Sequence, residues 1–245
     1  MMSSIISLCA HRVNHRLPPF GMFFWLYRYM NKARGIACDN SGQRVFVTGM
    51  NPSNSIAVLD VSNSTNPTFI VGKQGPPLNN PMGIAYDPID GRLFVASSGM
   101  NALAIFDVRN SSSALARPPI LDGNVTSATY MKSPRAVAHY SSQDLVFVSG
   151  HDSHSVCAVD VASYSGPLVI DGLNSTSSMR GATGVAFDPT TKLAFVAGSL
   201  SNSLAVVRVN GSQAIPTGAP SPPPTSLPTA SPTPQPSLSP TLQPS

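Results

Sequence analysis

Apolar residues in this chain fall in short clusters with no helical period, and the clusters recur. RGIACDNSGQRVFVTG (34–49), MGIAYDPIDGRLFVASS (82–98), RAVAHYSSQDLVFVSG (135–150) and TGVAFDPTTKLAFVAG (183–198) align with one another, with Ala37, Ala85, Ala138 and Ala186 in one slot. After a polar loop each continues into a second apolar run: SIAVLDV (55–61), ALAIFDV (102–108), SVCAVDV (155–161) and SLAVVRV (203–209). The copies lie about 48 to 53 residues apart, the size of one four-stranded propeller blade.

Within a copy the pattern predicts an inner strand, a tight turn of the D-x-x-G kind, and a strand with an unalternated apolar centre such as Val45-Phe46-Val47 or Leu93-Phe94-Val95. Unalternated apolar residues require a strand covered on both faces, which stacked blades supply and an open single-layer sheet does not. A short outer strand is expected at Phe69-Ile70-Val71, Pro119-Ile120-Leu121 and Leu168-Val169-Ile170, with no comparable run after Val209. No stretch outside the N-terminal segment carries a sustained helical period, so crossover helices are missing and the class is all-β. The expected architecture is a β-propeller, partial or four-bladed, with four-stranded antiparallel blades at about 33–81, 82–133, 134–181 and 182–214.

These residues resemble the YVTN/LVIVD-type β-propeller repeat, which reads approximately P-x-G-V-A-x-x-x-D-G-x-x-V-Y-V-T-N, a variable loop, then x-V-x-V-I-D. PMGIAYDPIDGRLFVASS followed by ALAIFDV is the nearest match, and RGIACDNSGQRVFVTG followed by SIAVLDV is almost as near. The resemblance spans about residues 33 to 210 and implies the propeller fold. It implies little about activity, because the motif residues form strands and turns while members of the family bind diverse partners. Such propellers usually close with about seven blades, so four copies leave three readings: a four-bladed ring, an open partial propeller completed by a partner or a second copy, or a truncated gene product. The incomplete readings are preferred, because the last copy is expected to lack its outer strand.

The two ends have different compositions. Residues 1–32 contain no acid and hold an apolar run, PPFGMFFWLYRYM, too short to span a bilayer in the mature protein. They read as a leader, either a signal-peptide core behind a basic region or an organellar transit segment. Residues 215–245 carry no charge and interleave Ser and Thr with Pro. That composition predicts a disordered, polyproline-II-biased stalk of the O-glycosylated kind. The formal charge of +4 is concentrated in Arg12, Arg16, Arg28, Lys32 and Arg34, and the rest is close to neutral, which leaves no basic face for nucleic acid.

Candidate chemistry is sparse. Cys9, Cys38 and Cys157 have no C-x-x-C or metal-ligand spacing, and Cys38 and Cys157 read as small buried side chains in preference to a disulfide. Asp39, Asp87 and Asp188 recur before the turn, and Asp60, Asp107 and Asp160 near the end of the third strand. Recurring carboxylates are compatible with Ca²⁺ in a channel, but a role repeated in every blade is usually a turn-capping one. His151 and His154, with Asp152 between them, are the one histidine pair suited to a metal, and no third ligand is identifiable. No cofactor fingerprint, nucleophile elbow or zincin motif is present. Sequons stand at Asn63, Asn110, Asn124, Asn174 and Asn210, three of them just after the third strand of a copy. The combined expectation is a non-catalytic propeller scaffold without cofactor, secreted or surface-exposed, whose loops take a protein or glycan ligand. The alternatives are a propeller-based hydrolase or redox enzyme with a channel-lining Asp/His site, and a fragment without independent function. For location, the alternatives are organellar and cytosolic.

Overall fold

The computed structural model describes residues 30–39, 43–62, 68–74, 77–109, 115–116, 120–121, 131–163, 168–171, 178–210 and 213–216. These residues are all-β apart from two single 3-10 turns, at Ser98–Met100 and Ser141–Gln143. Four antiparallel sheets follow one another along the chain. The first contains β1 (Ala33–Cys38), β2 (Arg44–Gly49), β3 (Ser55–Asp60) and β4 (Thr68–Gln74). The second contains β5 (Pro81–Asp87), β6 (Arg92–Ser97), β7 (Ala102–Asp107), β8 (Leu115–Ala116) and β9 (Ile120–Leu121). The third is β10 (Pro134–Tyr140), β11 (Leu145–Gly150), β12 (Ser155–Asp160) and β13 (Leu168–Asp171). The fourth is β14 (Ala182–Asp188), β15 (Leu193–Gly198), β16 (Ser203–Asn210) and β17 (Gln213–Pro216).

Two outer strands differ from expectation. The fourth sheet has its outer strand, because β17 pairs with β16 from Asn210↔Gln213 to Val207↔Pro216. QAIP is short and poor in β-branched residues, so its propensity is weak, and its proline is tolerable because the strand is an edge. The Gly211-Ser212 dipeptide between the paired Asn210 and Gln213 is the sequence signal that marks this hairpin. In the second sheet the outer strand is split: β8 pairs with Phe106 and Asp107, whereas β9 pairs with Ala102 and Leu103. Pro118 and Pro119 stand between the two pieces and have no N–H to offer a ladder.

The sheets stack face to face, inner strand beside inner strand: β1 on β5, β5 on β10, β10 on β14. Three apolar seams result. Phe46, Ile56 and Val58 meet Leu93, Val95, Ala104 and Phe106 between the first and second sheets. Phe94, Leu103 and Ile105 meet Val146, Val148, Cys157 and Val159 between the second and third. Phe147, Val156 and Ala158 meet Ala194, Val196, Ala205 and Val207 between the third and fourth. Alternation along each strand sends one set of side chains to the preceding sheet and the other to the following one, so the unalternated apolar sequence is satisfied on both sides. Burying each of these large side chains stabilises the fold by about 1.5–3 kcal/mol.

The described sheets form an open arc. No contact of comparable extent joins β14 to β1. At the far face of the fourth sheet Leu204 is 57% exposed, whereas its equivalents Ile56, Leu103 and Val156 are 2%, 0% and 0% exposed. Two glycines record the same difference. A Cβ on Gly35 would stand 2.4 Å from the Met82 carbonyl, and one on Gly83 2.7 Å from Cα of Ala136, so only glycine permits those sheets to approach. At the equivalent Gly184 the nearest neighbour is Cβ of Ala197 in the same sheet, at 3.6 Å. A closed four-bladed ring is therefore not the arrangement of these residues.

This packing predicts unequal costs at equivalent positions. Leu103→Ala should destabilise by about 2–5 kcal/mol in urea unfolding, and Leu204→Ala by less than about 0.5 kcal/mol. Equal costs would contradict an uncovered fourth face.

Candidate functional site

The polar residues that recur in the copies converge at the seams. The loop between second and third strands of each sheet contains one residue in the left-handed region: Asn54 (φ 41°), Asn101 (φ 50°), His154 (φ 56°) and Asn202 (φ 50°). Asn and His tolerate that conformation better than most side chains. Asn54 Oδ1 accepts the backbone N–H of Asn80 at 2.9 Å, and Asn101 Oδ1 accepts that of Ser133 at 2.9 Å. His154 Nδ1 accepts that of Gly181 at 3.0 Å. Each bond runs from one repeat to the lead-in of the next, so His154 does a staple's work with a ring nitrogen in place of an amide oxygen. Nδ1 also lies 2.9 Å from the His151 carbonyl, and the tautomer that accepts from Gly181 is the one that does not donate there.

A second recurring device is an aromatic pair. Phe46 packs on Tyr86 with ring centroids 5.1 Å apart, Phe94 on His139 at 4.9 Å, and Phe147 on Phe187 at 5.1 Å. The first partner lies on a second strand and the other on the following inner strand.

The third device is an arginine at two seams, half-buried as Arg44 and buried as Arg92. At the first, Arg44 bonds Asp39 Oδ2 through Nε (3.1 Å), the Val108 carbonyl through Nη1 (2.6 Å) and the Tyr86 hydroxyl through Nη2 (3.2 Å). At the second, Arg92 bonds Asp87 Oδ2 through Nε and Nη2 (3.1 and 2.9 Å) and the Val161 carbonyl through Nη1 (3.2 Å). Its Nη2 also reaches Asp144 Oδ1 at 2.6 Å and Asp90 Oδ2 at 2.8 Å. At the third seam Leu145 stands in the arginine slot, and the junction is filled by Tyr140 stacked on Phe187 with centroids 4.3 Å apart.

The second seam is the one that combines these groups into a candidate site. Asp87, at the end of β5, His139, on β10, and Asp144, before β11, place one ligand atom each within 4.8 Å of one another. Asp87 is 1% exposed. The His139 side chain is 4% exposed, lies with Nε2 3.8 Å from Asp144 Oδ1, and has no hydrogen-bond partner for that nitrogen. Burial is the largest influence on His139 and pushes the imidazole below its ordinary value, against the opposing pull of Asp87 and Asp144, so the ring is neutral at pH 7. In the aligned copies His139 occupies the inner-strand slot that Cys38, Tyr86 and Phe187 hold elsewhere. Asp144 stands in the turn position that Gln43, Gly91 and Lys192 hold in the other copies, and the seam brings it in from another sheet.

The residues singled out by sequence fall as follows. Asp87 Oδ1 accepts the N–H of Ile89 at 3.0 Å and Asp188 Oδ1 that of Thr190 at 2.9 Å, while Asp39 pairs with Arg44. Asp60, Asp107 and Asp160 accept the N–H of Ser62, Arg109 and Ala162 at 2.8, 3.1 and 2.9 Å. His151 Nδ1 lies 2.6 Å from Asp152 Oδ1, and this hydrogen bond holds the carboxyl below its ordinary value. His154 is turned away to Gly181, so the three do not form one ligand set. Asn63, Asn110, Asn124 and Asn174 lie outside the described residues, and Asn210 ends β16. Cys157 is a buried side chain outside any disulfide, as expected, whereas Cys38 departs from expectation: it is disulfide-bonded and is not a simple core residue. The partner of Cys38 lies outside the described residues.

The fold and its seams define a protein of the β-propeller class. Among solved structures the chain is similar to hydrazine synthase of Kuenenia stuttgartiensis, with TM-score 0.58, 12% identity, 76% of this chain and 48% of that one covered. It is also similar to a candidate 6-phosphogluconolactonase from Bacteroides uniformis, with TM-score 0.56, 12% identity, 77% of this chain and 56% of that one covered. The chain thus spans about half the length of these matches, and at such identity the likeness shows the fold alone. No family model and no curated protein matches the chain.

Two predictions follow from the geometry. Removing the buried cation by Arg92→Ala strands Asp87 and should cost about 3–5 kcal/mol. Arg109→Ala, which breaks an exposed pair with Asp107, should leave the urea midpoint unchanged. Separately, hydrogen bonds from Ser62, Ser163 and Thr191 hold Asp60, Asp160 and Asp188 below the ordinary 3.8. Their contribution is complete above that value and is lost as pH falls through the lowered ones, so Asp188→Asn should flatten the acid limb of stability measured between about pH 4 and 2 and lower stability at pH 7 by what the wild type loses at this residue on acidification.

Proposed function

We propose that the chain is a non-catalytic propeller scaffold of the YVTN/LVIVD type that works by association. The observation that carries this reading is the state of the fourth sheet. It has the donor half of a seam: Asn202 in the left-handed slot and Phe195, Leu204 and Val206 at positions that face the following sheet in the other copies. Leu204, Ala186 and Ala197 are exposed there. The opposite end of the arc is already covered, with Val45, Val47, Ala57 and Leu59 buried beside Met30, so the partner is the same fourth-sheet face of a second copy. Arg44, Arg92, Thr48 and Ser97 are engaged in bonds to neighbouring segments, which supports a structural use of the seam polar groups.

Light scattering should give a mass above the monomer that rises with concentration and returns to the monomer in Leu204→Asp. A wild type that stays monomeric up to about millimolar concentration contradicts self-association.

The same reading places the protein in the secretory pathway, its loops open to a protein or glycan ligand. The sequons, the Ser/Thr/Pro composition of 215–245 and the disulfide at Cys38 support that location. In a eukaryotic secretory host, glycosidase treatment should lower the apparent mass of the exported chain. A cytosolic, unmodified product abandons the location.

A further inference from the structure

The three seams serve as controls for one another, and only the second is unbalanced. At the first, one guanidinium, Arg44, faces one carboxylate, Asp39, and the aromatic slot holds Tyr86, whose hydroxyl accepts from Arg44. At the third, Leu145 and Phe187 occupy the arginine and aromatic slots, and the junction is apolar. At the second, one guanidinium faces three carboxylates, Asp87, Asp90 and Asp144, an excess of two negative charges. Beside it, the aromatic slot holds a histidine with Nε2 buried and unpartnered. Neither tautomer relieves that nitrogen: protonated, it would have to donate across 3.8 Å to Asp144, and unprotonated, it finds no donor. Buried polar atoms and uncompensated buried charge each cost stability unless something answers them.

We propose that Asp87, Asp144 and Nε2 of His139 bind one divalent transition-metal ion between the second and third sheets. A dication matches the two-charge excess. A mixed set of one neutral imidazole and two carboxylates, without thiolate, suits Zn²⁺ or Mn²⁺ better than Cu(I) or Mg²⁺. Arg92 is the competing cation. It keeps the exposed carboxylate of Asp90 and the Val161 carbonyl as partners when the two inner carboxylates turn to the ion. Because the ligands come from β5, from β10 and from the turn before β11, the ion ties two sheets together and bound metal stabilises the seam. This site is independent of the association at the fourth sheet, which lies on the far side of the third.

The test uses the full chain, stripped with chelator and titrated with Zn²⁺ and, separately, Mn²⁺ by calorimetry and thermal melting. The wild type should bind one ion, and at a free concentration about a hundredfold above Kd the folded-to-unfolded ratio should rise about a hundredfold. His139→Phe copies the residue that the fourth copy carries in this slot, and it should lower affinity by at least about tenfold. Asp144→Asn provides a second reading on a partly exposed turn residue and should weaken binding comparably. His151→Ala should bind as the wild type does. Absence of saturable binding to the wild type overturns the proposal, as does binding that survives both seam variants or is lost with His151→Ala, which would put the ion in the exposed loop.

Discussion

Everything in this structure depends on sheets that cannot stand alone. The second and third strands of each repeat are apolar on both faces, so each sheet gains its stability from the neighbours that cover them. Phe46, Phe94 and Phe147 meet this requirement by entering the next sheet beside an aromatic of its inner strand. The glycines at 35 and 83 allow the inner strands to approach, and the left-handed Asn or His residues staple each repeat to the next. Packing supplies most of the energy, and the polar bonds set the register, since a hydrogen bond contributes only about 1 kcal/mol net.

The same requirement explains where chemistry can arise. Seam positions are under a packing constraint, but the constraint is satisfied by any flat, space-filling side chain. Tyr86, His139 and Phe187 all fill the slot, and only the histidine brings a ligating nitrogen. When Asp144 arrives in a turn opposite an existing Arg92–Asp87 pair, a structural junction acquires excess charge and an unanswered donor set. A site of this kind comes from variation within a repeat, not from a motif.

The repeat, its strands and the all-β class were legible because they rest on local pattern: Gly-Ile-Ala, a turn, and an apolar triplet, four times over. The turn role of the recurrent aspartates was open to the same reading, since Asp87 and Asp188 bond to backbone two residues on. The His151 and His154 pair could be read as weak metal candidates or, by preference, as solvated loop histidines, because spacing in sequence says nothing about direction. Alignment of His154 with Asn54, Asn101 and Asn202 would have marked it as a left-handed staple. The fourth outer strand, β17, was hidden by its weak propensity, although the Gly-Ser pair before it signals a hairpin. The Asp87, His139 and Asp144 cluster was not legible, because its members meet only when two sheets stack.

The central claim is that four sheets stack in an open arc with the far face of the fourth uncovered. Equivalent positions allow a direct reading: Val156→Cys and Leu204→Cys, each in a Cys157→Ala background, exposed as monomer to a water-soluble maleimide under native conditions. The account predicts rapid labelling at 204 and none at 156, where the next sheet covers the side chain. Protection of both positions would contradict the open arc, and labelling of both would contradict the stacking itself.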